Sequence, residues 1–388
     1  MFIKRDLSKI IKNEGAKFPV IGIFGPRQSG KTTLAQELFK KYKYISLEDF
    51  DAQKAAHQDP RNFLEKLDKE KGVILDEVQN SPELLSYLQG VVDAKKRPGF
   101  FVLTGSQNFL LNEKITQSLA GRIAIFTLLP FSISELSGKV DIDKLSLNKL
   151  MFSGFYPRIY SSNLNPETFY KNYIRTYLER DVRLIKNVTD LSLFQTFLKL
   201  CAGRVGQLLN LSSLSVDIGL SVNTIKGWIS LLEQSYIIFL LRPHHKNFGK
   251  RLVKTPKLYF YDTGVACNLL EIDGPDSLYS HYLRGNLFEN FVISEITKQY
   301  YNRDKDPKLY FWRNLSGNEI DCIIEKGQNL TAIEIKSGKT INESFFDSLK
   351  YWQELSGNTS KDSYLVYAGD ESHKRSVANV VVWNDLKF

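Results

Sequence analysis

The stretch VIGIFGPRQSGKTT, residues 20–33, limits the folds open to this chain more than any other. It reads as a short apolar strand, a glycine-rich turn and a helix that begins near Lys31. The spacing Gly25-x-x-x-x-Gly30-Lys31-Thr32 is that of a phosphate-binding loop. Two glycines let the backbone curl until its N–H groups face phosphate oxygens, and the helix N-terminus adds its partial positive charge. Lys31 can reach the β- and γ-phosphates, and the Thr32 hydroxyl can ligate Mg²⁺. Strand and helix patterns then alternate from Pro19 to Pro130, which predicts an α/β domain with a mostly parallel sheet and helices on both faces.

Three further strands give this loop its expected company. GVILDEVQ (72–79) is apolar and ends in two acids. Burying such charges without partners is costly, so Asp76 is placed beside Mg²⁺ and Glu77 as the base that orients the attacking water. FFVLTGSQN (100–108) ends in polar residues, of which Ser106 or Asn108 can sense the γ-phosphate. RIAIFTLL (122–129) follows LAG. Its Arg122 is a candidate for the arginine that stabilises transition-state charge, within the chain or from a neighbouring subunit.

After residue 140 the sheet pattern stops. PETFYKNYIRTYLERDVRLIKN (166–187) predicts one amphipathic helix, with Tyr170, Tyr173, Ile174 and Tyr177 on its buried face and Glu179, Arg180, Asp181 and Arg183 as a charged knot. Residues 211–241 predict a helix-turn-helix. Leu211, Leu214 and Ile218 line the first helix; Val222, Ile225, Trp228, Ile229 and Leu232 line the second. YIIFLL and KLYFYD would then be the strands of a wing, and RPHHKNFGKRLVKTPK (242–257), with six Lys/Arg and no acid, its tip. The second helix offers Asn223, Thr224 and Lys226 outward, a thin base-reading set, so the wing is better equipped to hold phosphates than to read sequence. A winged helix used for protein packing is the other reading.

Charge points the same way. The net charge is +9, and residues 151–260 alone hold fifteen Lys/Arg against six Asp/Glu, so the whole excess lies in the middle of the chain. A polyanion would be attracted there; a solvated basic surface is the plainer alternative.

GNEIDCIIEKGQNLTAIEIKSG (317–338) poses a separate problem, because Asp321, Glu334 and Lys336 sit inside apolar strands. If the hairpin turns at Gly327–Gln328, Asp321 lies opposite Glu334, and Glu334 and Lys336 share a face. Glu289, on the predicted helix RGNLFENFVISEITKQYY (284–301), can look across at the same patch. Two or three carboxylates can hold Mg²⁺, and a lysine beside them can position water against a phosphodiester. The spacing D-x12-E-x-K behind a helix carrying Glu resembles that of the restriction-endonuclease-like nucleases. A charged stripe on an edge hairpin, or a retained fold without cleavage, would give the same pattern.

The segments GPRQSGKTT, VILDEVQ, LTGSQ, LAGR, YIRTYLERDV, YFYDTGVACNLL, GNLFENFV and AIEIKSG together resemble a broad prokaryotic family. That family joins an N-terminal ATPase domain of the AAA superfamily to a C-terminal domain of unknown function with an endonuclease-like fold. The resemblance implies that Gly25, Pro26, Arg27, Gln28, Ser29, Gly30, Lys31, Thr32 and Thr33 bind ATP, and that Asp76 and Glu77 handle Mg²⁺ and water. It implies a P-loop, AAA-like ATPase domain over 1–140. The residue patterns add a helical arm over 141–190, a winged helix over 191–265 and a nuclease-like α/β domain over 266–388. The expected activity is Mg²⁺-dependent ATP hydrolysis that controls an arm for DNA or a protein partner, with oligomers formed if Arg122 acts in a neighbour. The alternative is a nucleotide switch whose nuclease-like domain is silent.

Length and composition agree. At 388 residues the chain suits about two to three domains. Cys201, Cys267 and Cys322 are odd in number and scattered, which supports neither disulfides nor a zinc knuckle. Residues 1–19 lack the apolar run of a signal peptide, and no run reaches the ~18 apolar residues of a membrane span. A cytoplasmic, reducing location is expected.

Overall fold

The computed structural model describes residues 2–95, 97–106, 114–115, 117–177, 188, 190–245 and 252–388. They pack into two compact units. The first comprises Met1–Phe131, Gln234–Tyr236 and Tyr300–Asp306; the second comprises Ser132–Glu233, Ile237–Gln299 and Pro307–Phe388. Asn108, the charged knot at 179–183 and the wing-tip residues 246–251 lie outside the described residues.

The first unit is built on five strands: β1 (Val20–Gly25), β2 (Lys43–Ser46), β3 (Val73–Asp76), β4 (Phe101–Ser106) and β5 (Ile123–Thr127). Their order in the sheet is β2-β3-β4-β1-β5, and every neighbouring pair is parallel. Side chains alternate between the two faces of a strand. Accordingly Val20, Phe24, Val73, Leu75, Phe101 and Leu103 enter one apolar cluster, while Ile21, Ile23, Ile74 and Val102 enter another. A central parallel strand buried on both faces must read as a continuous apolar run, as VIGIF and VILD do. The loop glycines, Asp76 and Ser106 all follow from this sheet, because parallel strands end on the same side.

The second unit carries an eight-stranded mixed sheet, in the order β12-β13-β11-β10-β9-β8-β6-β7. Its strands are β6 (Ile238–Pro243), β7 (Lys257–Phe260), β8 (Leu309–Arg313), β9 (Glu319–Lys326), β10 (Asn329–Lys336), β11 (Ser363–Tyr367), β12 (His373–Lys374) and β13 (Asn379–Val382). Strands β9 and β10 form a hairpin with Asn329 opposite Lys326 and Ile333 opposite Cys322. That register sets Glu334 across from Asp321. Strands β10, β11 and β13 run parallel to one another. The helix Asp347–Ser356 lays Leu349 and Trp352 into the apolar cluster over this sheet.

Ahead of the sheet come the helices Leu191–Ala202, Leu211–Ile218 and Val222–Gln234. Asn210 caps the second, and the turn between the second and third passes through Gly219. Trp228 packs edge-on against Phe194 and Phe197. Val222, expected in the buried stripe, is exposed instead; it opens its helix, where the first turn projects past the packing surface. The antiparallel β6–β7 pair follows, and β6 also pairs with β8. The tyrosines of the helix Pro166–Tyr177 are core residues: Tyr170 donates to Asp262 at 2.7 Å, and Asp262 also accepts from the Phe155 N–H at 2.7 Å.

Candidate functional site

The phosphate-binding loop follows β1 and leads into the helix Lys31–Leu38. Gly25 has φ +151°, and a Cβ there would lie 2.2 Å from the Leu128 carbonyl oxygen. The position admits no side chain, which explains why the loop must open on glycine. Ser29 is fully buried and its Oγ has no hydrogen-bond partner. The Lys31 ammonium, 5% exposed, donates to the carbonyls of Gly25 at 3.2 Å and Pro26 at 2.7 Å, so it lies over the loop.

Asp76 ends β3 beside this loop and is surrounded by hydroxyls. Thr32 Oγ1 donates to its two oxygens at 3.0 and 2.9 Å, Tyr44 donates at 2.8 Å, and Thr104 donates through its Oγ1. Burial, and then the Asp76 carboxylate, push the Tyr44 phenol well above its ordinary range. Glu77 turns out of the strand with φ +55° and ψ +47°, a left-handed conformation that non-glycine residues seldom adopt. Gln79 donates its amide to the Glu77 carboxylate. The Gln79 amide lies against Gly105, where a Cβ would meet its Oε1 at 2.3 Å and push the side chain aside. Ser106 pairs in register with Gly25, and its buried Oγ has no partner among the described residues.

Arg5, Tyr44, Thr104 and Gln79 escape sequence reasoning. Arg5 is buried and donates to the Ser29 carbonyl at 2.9 Å and the Leu129 carbonyl at 2.6 Å, bracing the loop from behind. Arg5 and Tyr44 lie outside every quoted motif, while Gln79 and Thr104 stand inside VILDEVQ and LTGSQ, where residue type alone assigns them no role.

Arg122 does not reach the loop of its own chain. Its carbonyl accepts from Val20 N, at the start of β1, whereas the loop follows the end of that strand. Its guanidinium makes a two-pronged pair with Asp93, at 2.5 and 2.8 Å. The within-chain role is therefore withdrawn, since parallel strands put the two positions at opposite ends of the sheet.

In the second unit Asp321, Glu334 and Lys336 do come together. Lys336 pairs with Glu334 and lies 4.0 Å from Asp321, whose Oδ2 accepts from the Ile335 N–H at 2.8 Å. Glu334 is 3% exposed and its Oε2 has no partner. Burial and the nearby Asp321 push Glu334 up to about 8. Glu289 is drawn elsewhere, accepting from Lys257 at 2.9 Å and from the Tyr259 hydroxyl. Burial raises it to about 7, against the pull of Lys257. Lys257 also pairs with Glu319, which Arg313 meets at 3.1 Å. Lys257 was grouped with the wing-tip cations, but it is buried in β7. Among the described residues no three His, Cys, Asp or Glu side chains gather as a metal cage. The Glu289–Asp321–Glu334 set is thus not a preformed ligand triad, because an ammonium occupies the Glu289 side of it.

Comparison with known proteins agrees with the loop. Residues 17–137 match the family model described as an AAA domain, and residues 144–276 and 284–385 match two models described as domains of unknown function. The N-terminal part is a P-loop ATPase domain. The chain is 28% identical over 345 residues to an uncharacterized protein of Mycobacterium tuberculosis, covering 87% of this chain and 74% of that one. It is 25% identical over 345 residues to an uncharacterized protein of Haemophilus influenzae, covering 81% of each. Among solved structures it aligns with the Walker-type ATPase PABY2304 of Pyrococcus abyssi at 15% identity and TM-score 0.44, covering 69% of this chain and 96% of that one. It also aligns with the Thermotoga maritima RuvB Holliday junction branch migration motor at 19% identity and TM-score 0.31, covering 61% and 86%. No helix among the described residues is long and apolar enough to cross a membrane.

Proposed function

We propose that the chain hydrolyses ATP with Mg²⁺ and that its nucleotide state controls the second unit, which binds nucleic acid. The observation that carries the first half is the Lys31–Thr32–Asp76 arrangement: an ammonium over the loop, and a carboxylate held only by hydroxyls next to Thr32. The buried, unpartnered Ser29 Oγ and the Gly25 cradle fit a phosphate group. Thr32 and Asp76 would hold Mg²⁺, which supplies charge neutralisation at the phosphates. Lys31 binds the β- and γ-phosphates, Glu77 orients the attacking water and takes its proton, and Gln79 positions Glu77. Ser106, at the end of β4, faces the γ-phosphate side. Arg122, at the far end of the sheet from its own loop, serves a neighbouring copy.

For the second unit the finer reading is a winged helix, from the three helices and the β6–β7 pair, followed by a restriction-endonuclease-like domain. The excess charge of residues 151–260, with Lys226 and Lys254 exposed, supports nucleic acid as the partner. A protein partner is the second reading. It gains from the acid cluster, where Lys257 sits in place of a divalent cation and favours a domain that binds without cutting.

Two variants test the first half. Lys31→Ala should lower both nucleotide affinity and turnover, the latter by roughly 100-fold or more, as loss of a charge-stabilising donor does. Glu77→Gln should keep affinity and slow turnover by about 100- to 10,000-fold, the span of general base catalysis. Unchanged turnover in Glu77→Gln would remove Glu77 from the base role.

A further inference from the structure

The second unit has a cavity of about 530 Å³ that none of the roles above uses. It lies just past the carboxyl ends of the three mutually parallel strands. Lys339 follows β10, Asp370 follows β11 and Trp383 follows β13. In open α/β sheets the crevice outside the carboxyl ends of parallel strands is where ligands bind. The fourth wall is the start of the 18-residue helix Arg284–Tyr301, with Tyr279 just before it.

The lining is cationic. Lys144, Arg284 and Lys339 face a single acid, Asp370. Lys144 is tied to Asp141 at 2.7 Å, but Lys339 is exposed and has no ion pair among the described residues. Arg284 is fixed in place: its Nη1 donates to the Ser337 carbonyl at 2.6 Å, and the guanidinium lies 5.3 Å from the centre of the Tyr279 ring. Its Nε is buried with no partner. Tyr279 is 64% exposed, an aromatic face left open at the mouth of the cavity. Ser337 directly follows Lys336, so the cavity adjoins the Asp321–Glu334–Lys336 cluster along one strand.

We propose that this cavity binds the phosphate of a nucleotide unit within a single-stranded nucleic acid. Arg284 and Lys339 hold the phosphate, and Tyr279 stacks on the base. Aromatic faces combined with a positive groove are how strands are held without sequence preference. The proposal rests on the nucleic-acid reading of the second unit and locates it beside the acid cluster rather than at the wing.

The test uses the full chain and a fluorescently labelled single-stranded oligonucleotide, read by anisotropy across a salt series. Arg284→Gln/Lys339→Gln should weaken binding about tenfold, and its log–log salt slope should fall by about 0.7, the share of one phosphate contact on a single strand. Tyr279→Ala should weaken binding about fivefold or more through lost stacking. Lys339→Gln alone leaves the Arg284–Ser337 bond intact and should still weaken binding, with a slope loss smaller than the ~0.7 of the double variant. Wild-type affinity and slope in all three variants would overturn the cavity and leave the nucleic-acid reading standing, with loss in Lys226→Gln/Lys254→Gln then placing the strand at the helix-turn-helix and wing. A wild-type chain that binds no oligonucleotide would remove both. In a Lys31→Ala background, displacement of the strand by equimolar deoxythymidine monophosphate would assign the cavity to free nucleotides and overturn the strand.

Discussion

Asp76 and Glu289 are both acids set against a sheet, and their charges are balanced in opposite ways. Asp76 accepts from Thr32, Tyr44 and Thr104, all neutral hydroxyls. Glu289 accepts from a lysine that is itself shared with Glu319. Hydroxyls orient a carboxylate and leave its charge available to a divalent ion. An ammonium cancels that charge from within. On the proposed function, the first site would take its cation from outside the fold and so respond to a ligand; the second carries its cation as part of its core.

The largest expected effect breaks this contrast directly. Lys257→Met takes the ammonium from the part-buried Glu289 and leaves Glu319 to Arg313, and removing one partner of a buried pair costs about 3–5 kcal/mol. Urea unfolding should show that loss, and Lys257→Met/Glu289→Gln should recover most of it. If the lysine stands in for a metal, millimolar Mn²⁺ should protect amides of β7 and β9 from hydrogen exchange in Lys257→Met and leave those of the wild type unmoved, since only a native-state ligand raises stability. Equal protection of these strands in both proteins would show that the acids accept metal with Lys257 present, and would restore the cutting reading.

A smaller effect concerns protons. Glu334 is raised to about 8 and Glu289 to about 7, from an ordinary value of 4.5. The folded chain therefore holds protons that the unfolded chain has released, and stability falls as pH rises wherever the folded state binds more protons. The contribution is complete below pH ~4.5 and is lost as pH rises through the folded values. Glu334→Gln should flatten the decline between pH ~5 and 8, because its amide has nothing to titrate. Denaturation midpoints at five pH values would measure this, and an undiminished decline would place the proton on another group.

The same contrast explains what could be read in advance. The loop was legible because its chemistry is carried by backbone: Gly25, Gly30 and Lys31 must stand at fixed spacing in one continuous segment. The β9–β10 hairpin was legible for the same reason, since a turn at Gly327–Gln328 fixes which residues face each other. Tyr44 and Thr104 were not legible, because they meet Asp76 only once neighbouring strands pair, and Gln79 was not, because it meets Glu77 across a left-handed turn that the sequence does not announce. Lys257 was misread by its company. Six cations in sixteen residues look like one solvated stretch, yet the strand that begins at Lys257 is buried at every position. Arg122 stands one residue ahead of an apolar strand, like a site residue, but a parallel sheet has two ends and the sequence does not say which one matters.

That ambiguity is resolved by mixing two silent variants. The loop site has Lys31 in place, and Arg122 lies at the other end of the sheet, exposed enough to leave Asp93 for another partner. If a neighbouring copy supplies it, the catalytic site is shared between chains. Arg122→Ala should then keep nucleotide binding and lose turnover by about 1000-fold, the effect of removing such an arginine. Lys31→Ala is silent for a different reason. An equimolar mixture should regain activity, because a chain with an intact loop can now meet a neighbour with an intact arginine. In a cyclic assembly with random order, about a quarter of the junctions meet that condition. Turnover near a quarter of wild type would locate the arginine in trans, and a mixture as silent as its parts would leave Arg122 as a surface partner of Asp93.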